Sequence, residues 1–463
     1  MHADLLSDAV DGLDEALTAV DGFDEALVAG LLRPQPGQAA GLTGLADAVA
    51  GTPLAARVAE AADKTAAGAA GEDHFVTLAA ARTALLGSVH DALTARVEEA
   101  VGRPRAEEAT AAAANNNEHA ANLYAAARGW LCDLVRAGWQ GIEHELVDGA
   151  APVVSAMLPD PALRRLATLL DGFAAELAAS CPGATLERVP VRRWADLWSR
   201  ALLLTLPGAA RATSVAEATG RLLPLGVDVQ EHATAVQAQV HAVFEPADGG
   251  TPRLVRASVS APKPDTVVGA GLWQLLRPHM SLLGAVSEGR AMDLDAMPVT
   301  AEGDLIWDDA RARVGEPAEV FATARVALPT AAAFAVSPLD RHPARIAVPV
   351  LLEGYGVEED DGIVFQVAGY RLAVDTDRVP AAGPLSREVV AASGACVGLL
   401  RWDAGEFLLQ PLAVERTVRK KTVAVHAGAW AGGTTDKAGV RAEKASTDAV
   451  SVLRERAGRL LRK

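Results

Sequence analysis

The chain has 463 residues, enough for about two to four domains with substantial cores, and carries 59 acidic against 43 basic side chains for a formal charge of −16. The charge is uneven: from Glu415 onward twelve Lys or Arg meet five Asp or Glu, a net +7 that leaves −23 on the other 414 residues. An acidic body repels phosphate backbones and argues against broad nucleic-acid binding. Three scattered cysteines, Cys132, Cys181 and Cys396, argue against a disulfide framework or a cysteine-rich zinc site and fit a reducing, cytoplasmic compartment.

The first residues lack the basic-then-apolar pattern of a leader, and no run approaches the roughly 18 to 20 apolar residues of a membrane span. An echo follows: VDGLDEAL at 10–17 recurs as VDGFDEAL at 20–27. Two copies do not make a solenoid. Asp14, Glu15, Asp24 and Glu25 lack the calcium-loop arrangement and read as a solvated acidic helix face. Glycines and prolines between Leu31 and Leu54 read as a loop.

Glu72 to Val101 is expected as one long helix, with Phe75, Leu78, Leu85, Val89, Leu93 and Val97 near the 3.6-residue period and Gly102-Arg103-Pro104 ending it. His74 and His90 read as ordinary helix residues. After the Asn115–Asn117 run, a cap or a break, the residues Leu123, Trp130, Leu131, Leu134, Val135, Trp139 and Ile142 mark a buried surface. His119 and His144 sit beside glutamates, but neither HExxH nor a paired ExxH is present. Asp160-Pro161 is expected to cap and start a helix whose face is Leu163, Leu166, Leu170, Phe173 and Leu177.

Pro190 to Gly208 holds the strongest amphipathic pattern. Trp194, Leu197, Trp198, Ala201, Leu202 and Thr205 share one helical face, with Arg193, Asp196, Ser199 and Arg200 off it. Its expected role is to close the helical core at a junction, ahead of a partner-binding role.

Beyond Val227 the period changes to two. Strands are expected at Val255–Val259, Val320–Leu328, Ile346–Leu352 (towards an edge, because of Pro349) and Ile363–Val374, the last after a turn at EEDDG, 358–362. A helical interruption is expected near Leu272–Leu283. VGLLRW and EFLLQPLAV around Asp403-Ala404-Gly405 predict a hairpin with a three-residue loop, and Arg416–Val425 alternates as another strand. The fold class is α+β by segregation: a helical region over 1–226 with a sub-boundary near 103–117, a β-rich small barrel or sandwich over 227–427 with a helical insertion near 265–285, and a linker plus basic amphipathic tail over 428–463.

No P-loop, dinucleotide fingerprint, nucleophile elbow or kinase set is present. Asp293/Asp295 and Asp375/Asp377 read as turn residues. No catalytic residue, cofactor or metal is named. The leading functional expectation is a non-catalytic adaptor or structural subunit that meets a protein partner through the tail: Leu453 and Leu460 on its apolar side, Arg454, Arg456, Arg459, Arg462 and Lys463 as its charge, Trp430 ahead of it. One alternative is an enzyme with a site in the cleft between the two halves. The other is nucleic-acid binding, with Trp402 and Phe407 stacking bases and Arg416, Arg419, Lys420 and Lys421 holding phosphates.

Overall fold

A computed structural model describes residues 2–103, 118–206, 209, 215–232, 235–264, 267–360, 362–433 and 437–460. The chain is α+β: helices fill the N-terminal half, and strands in two sheets dominate the C-terminal half. The helical half contains α1 (Leu13–Ala29), α2 (Pro36–Ala48), α3 (Ala55–Ala66), α4 (Glu72–Val101), α5 (Glu118–Ala137), α6 (His144–Asp148), α7 (Ala150–Met157), α8 (Arg164–Ala179) and α9 (Val191–Leu204).

The stretch between Leu31 and Leu54 is not a loop. Pro36 occupies the first turn of α2, where a missing N–H costs nothing, and the Gln35 N–H donates to the Gln38 side chain at 2.6 Å. Asp160 caps a turn, accepting from the Ala162 N–H at 2.9 Å, and the following helix starts at Arg164. Its expected face is nonetheless buried: Leu163, Leu166, Leu170, Phe173 and Leu177. The Asn115–Asn117 run lies outside the described residues.

At 30 residues, or about 45 Å, α4 is the shared spine. Phe75, Leu78, Ala79 and Ala81 on its first half belong to the helical core. Val89, Leu93, Val97 and Ala100 on its second half belong to the core of the strand half. Helix α9 closes the helical core as its pattern predicts. Trp194 and Trp198 are about fully buried, at 1% and 0% exposure. Trp198 donates to the Leu131 carbonyl at 3.0 Å, and Trp194 meets Trp139 edge-on at 5.9 Å between ring centres. The Arg128 guanidinium closes the C-terminus of α9, donating to the Thr205 carbonyl at 3.0 Å, a cation at the negative end of the helix dipole.

The strand half runs β1 (Val215–Glu231), β2 (Ala235–Pro246), β3 (Arg253–Pro262), α10 (Leu272–Leu275), α11 (Met280–Glu288), β4 (Arg290–Thr300), β5 (Asp304–Leu305), β6 (Ala312–Pro317), α12 (Val320–Val326), β7 (Val348–Glu353), β8 (Gly356–Glu359), β9 (Ile363–Val367), β10 (Tyr370–Val374), α13 (Arg387–Ala391), β11 (Ala395–Asp403), β12 (Glu406–Val418), β13 (Lys421–His426) and α14 (Lys437–Leu460). The first sheet has the order β1-β2-β3-β5-β4-β6, and a β1–β4 pairing closes it into a ring that is not a clean barrel. The second sheet is open, in the order β7-β11-β12-β10-β9-β8 with β13 beside β12. Pro349 lies on the edge strand β7, as proline requires.

Five local expectations are corrected. Val320–Leu328 is helical, not a strand: Glu319 accepts from the Ala322 N–H at 2.9 Å, and Val320, Phe321, Thr323, Ala324, Ala327 and Leu328 are the buried positions. Ile363–Val374 is a hairpin, split by Ala368 and Gly369 at φ 49° and 86°. The loop between β11 and β12 has two residues, because Asp403 still pairs with Glu406 across Ala404-Gly405. Arg416–Val425 is likewise two strands, turned at Arg419 and Lys420 with φ of 50° and 66°. Two-residue turns with both φ positive match the twist of the strands they join. The EEDDG segment is partly strand too, since Glu358 and Glu359 lie in β8.

A register shift between Pro224 and Gly226 positions the polar chemistry. Before this bulge Leu223 and Leu225 face one apolar cluster with Val243. After it Val227 and Val229 face the larger core, so Asp228 and Gln230 come out on the opposite face. An extra residue in one strand exchanges its two faces. Glycine is required at 226, where a Cβ would lie 2.7 Å from the Leu412 Cβ of the second sheet.

Candidate functional site: a polar cleft between the two halves

Between the halves lies a cleft of about 1160 Å³, reached by His90, Arg165 and Arg193 from the helices and by strand and loop residues of the C-terminal half. Its strand wall follows from the period of two. In β1, β2 and β3 the residues Val227, Val229, Val236, Ala238, Val240, Val255, Ala257 and Val259 point into the core. The alternating partners Asp228, Gln230, Gln237, Gln239 and Arg256 line the cleft.

The floor is a buried network that ties the two sheets together. Asp228 accepts from Gln410 at 2.8 Å, from Arg401 at 3.0 Å and from Gln230 at 3.0 Å. The Arg401 Nε in turn donates to the side-chain amide oxygen Oε1 of Gln410 at 2.5 Å. One step further along β2, His241 is 1% exposed, and its Nε2 has no partner among the described residues. Burial pushes its pKa down to about 3, against the pull of Asp228, so the ring is neutral at physiological pH.

The other wall is where α9 departs from expectation. Asp196 and Arg200, off the apolar face, are not turned to solvent but covered by the two tight turns around Pro338–Asp340 and Pro343–Arg345. Asp340 receives three guanidiniums: Arg165 at 2.8 Å, Arg200 at 3.1 Å and Arg345 at 2.6 Å. Ser199 is also buried, with no partner for its hydroxyl among the described residues. Asp24 of the acidic echo is not solvated either. It takes a fork from Arg82, Nε at 2.6 Å and Nη2 at 2.9 Å, with both side chains almost fully buried.

The cleft carboxylates Asp228, Glu231, Asp304 and Asp340 are engaged rather than poised. Asp304 meets Arg256 at 2.9 Å, and Glu231 meets Lys263 at 3.1 Å. Asp377 and Arg378 line the cleft, while Asp375 is tied to Arg378 at 2.9 Å. Such pairing fills carboxylate lone pairs that a general base would need. The cysteines are unbonded, Cys132 and Cys396 are buried, and burial pushes the Cys132 thiol up to about 12, away from nucleophilic use. His74 caps its own helix, accepting from the Gly71 N–H at 2.9 Å.

The residues expected from sequence lie elsewhere. Phe407 is a core residue at 5% exposure, and Trp402, opposite it in the hairpin, packs partly buried against the same core. Arg419, Lys420 and Lys421 sit exposed on the β12–β13 turn, with Arg416 half-buried beside them. Along β12 that turn is about 40 Å from Phe407 at roughly 3.3 Å per residue, so the aromatics and cations do not form one surface.

Trp430 is half-buried against the core. The segment before α14 is not a free linker, since Ala427 and Ala431 are buried and Ser287 donates to the Ala429 carbonyl at 2.8 Å. Helix α14 docks its start on the 269–274 turn: Gln274 donates to the Glu443 carbonyl at 3.2 Å. Arg456 and Arg459 are exposed on it. Arg462 and Lys463, and the side chains of Leu453, Arg454 and Leu460, lie outside the described residues.

Among the described residues no helix is long and apolar enough to cross a membrane. Compared with protein families, curated proteins and solved structures, the chain matches none.

Proposed function

We propose that this chain is a non-catalytic binding protein that holds a hydrophilic small molecule in the cleft between its halves. One observation carries the reading. A cleft of about 1160 Å³ is walled by both halves and lined mainly by amide, carboxylate and guanidinium groups, with a smaller apolar share from residues such as Val229, Val336 and Val379. Sites of this size at a junction of two structural units are where small ligands bind, and their polar groups set which ligand is accepted. The engaged carboxylates and the buried thiols favour recognition over chemistry. Native mass spectrometry of the full chain after incubation with a small-molecule cell extract tests it. A retained adduct is expected in the wild type and its loss in Gln239→Trp, which fills the cleft from its half-exposed strand wall. No adduct, or one that survives the substitution, contradicts the proposal.

A second reading, an adaptor that meets an acidic protein partner through α14, is favoured by the exposed Val452, Arg456 and Arg459 beyond the docked start of that helix. Charge steering plus a short apolar stripe suits such contact. Removal of residues 449–463 spares the packed segment up to Gly433 and the docked start of α14. It should abolish co-purification of the partner at unchanged melting temperature; unaltered co-purification removes the adaptor reading. The packing of Phe407 in the core and of the partly buried Trp402 against it offers the nucleic-acid alternative no support.

A further inference from the structure

We infer that the helical wall of the cleft contains a phosphate subsite, formed by Arg165, Arg200 and Arg345 around Asp340, that takes the phosphate or pyrophosphate group of the bound small molecule. This rests on the cleft reading and specifies its ligand class.

The first argument is charge. Through contacts of 2.6 to 3.9 Å, Asp24, Arg82, Asp196, Arg200, Asp340, Arg165 and Arg345 form one connected group of four guanidiniums and three carboxylates. His342 touches Asp196 at 3.8 Å but adds no charge, because burial pushes its pKa down to about 4. One positive charge is therefore left uncompensated, and the group borders the cleft at Arg165, Asp340 and Arg345. The facing strand wall carries Asp228, Glu231, Glu302, Asp304 and Asp377 against Arg256, Arg378 and Arg401, so the positive charge of the cleft is concentrated on the helical wall.

The second argument is geometry. Three guanidiniums from α8, α9 and the turn at Pro343–Arg345 converge on the two oxygens of one planar carboxylate. Arg165 reaches Asp340 through Nη2 and Arg345 through Nη1, single contacts from forks built for two. The Arg200 Nε is buried with no partner among the described residues. A tetrahedral oxyanion presents oxygens in three directions and meets such a convergence better than a second planar carboxylate would. Arg345 lines the cleft with its side chain 43% exposed. Partial desolvation, with the neighbouring Arg200, lowers its pKa against the pull of Asp340, and an incoming anion relieves the repulsion.

Calorimetric titration of the full chain at fixed ionic strength, with pyrophosphate, inorganic phosphate and malonate as probes, tests the inference. One saturable site is expected for pyrophosphate, at least tenfold tighter than for malonate. Arg165→Gln and Arg345→Gln should each weaken it at least tenfold, while Arg325→Gln, on a separate Glu353/Glu415 cluster, leaves it unchanged. Melting temperatures of the variants, and Arg345→Lys, which keeps the charge but loses the fork, separate lost recognition from lost folding. No saturable pyrophosphate binding, binding indifferent to both arginines, or equal binding of malonate overturns the subsite. A chain that retains a cleft adduct yet ignores both phosphate probes keeps the cleft reading and loses only this inference.

Discussion

His241 shows how a single buried group sets a condition on the whole fold. The folded ring resists protonation down to about pH 3, whereas the unfolded chain takes its proton near the ordinary value of 6.5. A depressed folded pKa means that the stabilisation is complete above about pH 6.5 and is lost as the pH falls. By pH 5 the loss from this residue alone should reach about 2 kcal/mol. Urea unfolding between pH 7.5 and 5 should show a decline that is about 2 kcal/mol smaller in His241→Leu than in the wild type, with His342, whose pKa burial also lowers, contributing to the remainder. An equal decline in the variant contradicts the assignment. The imidazole was invisible as a special residue in the sequence, where it is one polar position among Gln237, Gln239 and His241 on an alternating strand. Its burial, within electrostatic reach of Asp228, Arg256 and Arg401, is a tertiary fact that no local pattern encodes.

At the scale of elements, α9 behaves as its periodicity says on one face and differently on the other. Trp194→Ala and Trp198→Ala should each destabilise the chain by about 3 to 5 kcal/mol, read as a shift in denaturation midpoint. Wild-type stability in either variant would return the tryptophans to a surface role. The apolar spacing was legible because burial against neighbouring helices follows 3.6-residue geometry. The fate of Asp196 and Arg200 was not, since a charged face turned to water and one turned to a charged neighbour look alike in sequence. Elements built from small residues were misread for a related reason. Val320–Leu328 satisfies both periods, and the Glu319 cap decides for the helix. The three tight hairpins were partly legible: Gly369 and Gly405 signal two of them, while Arg419-Lys420 adopts the same left-handed pair with residues that give no such sign.

Over the whole molecule, segregation into a helical half and a strand half was readable from the change of period after Val227. How α4 joins them was not. One continuous apolar stripe serves two cores, and nothing along the stripe marks where the first ends. The cleft follows from that junction: strand positions Asp228, Gln230, Gln237 and Gln239 form one wall, and the Asp340 cluster beside α8 and α9 forms the other. Each residue is unremarkable alone, and their convergence is a tertiary fact.

If a hydrophilic ligand bridges these walls, it must quiet both at once. Hydrogen exchange of the full chain, with and without the small-molecule extract, reads that directly. Protection is expected together in residues 160–166, 336–347 and 377–381, with α14 unchanged. Protection absent from these segments, or confined to α14, contradicts a ligand site in the cleft.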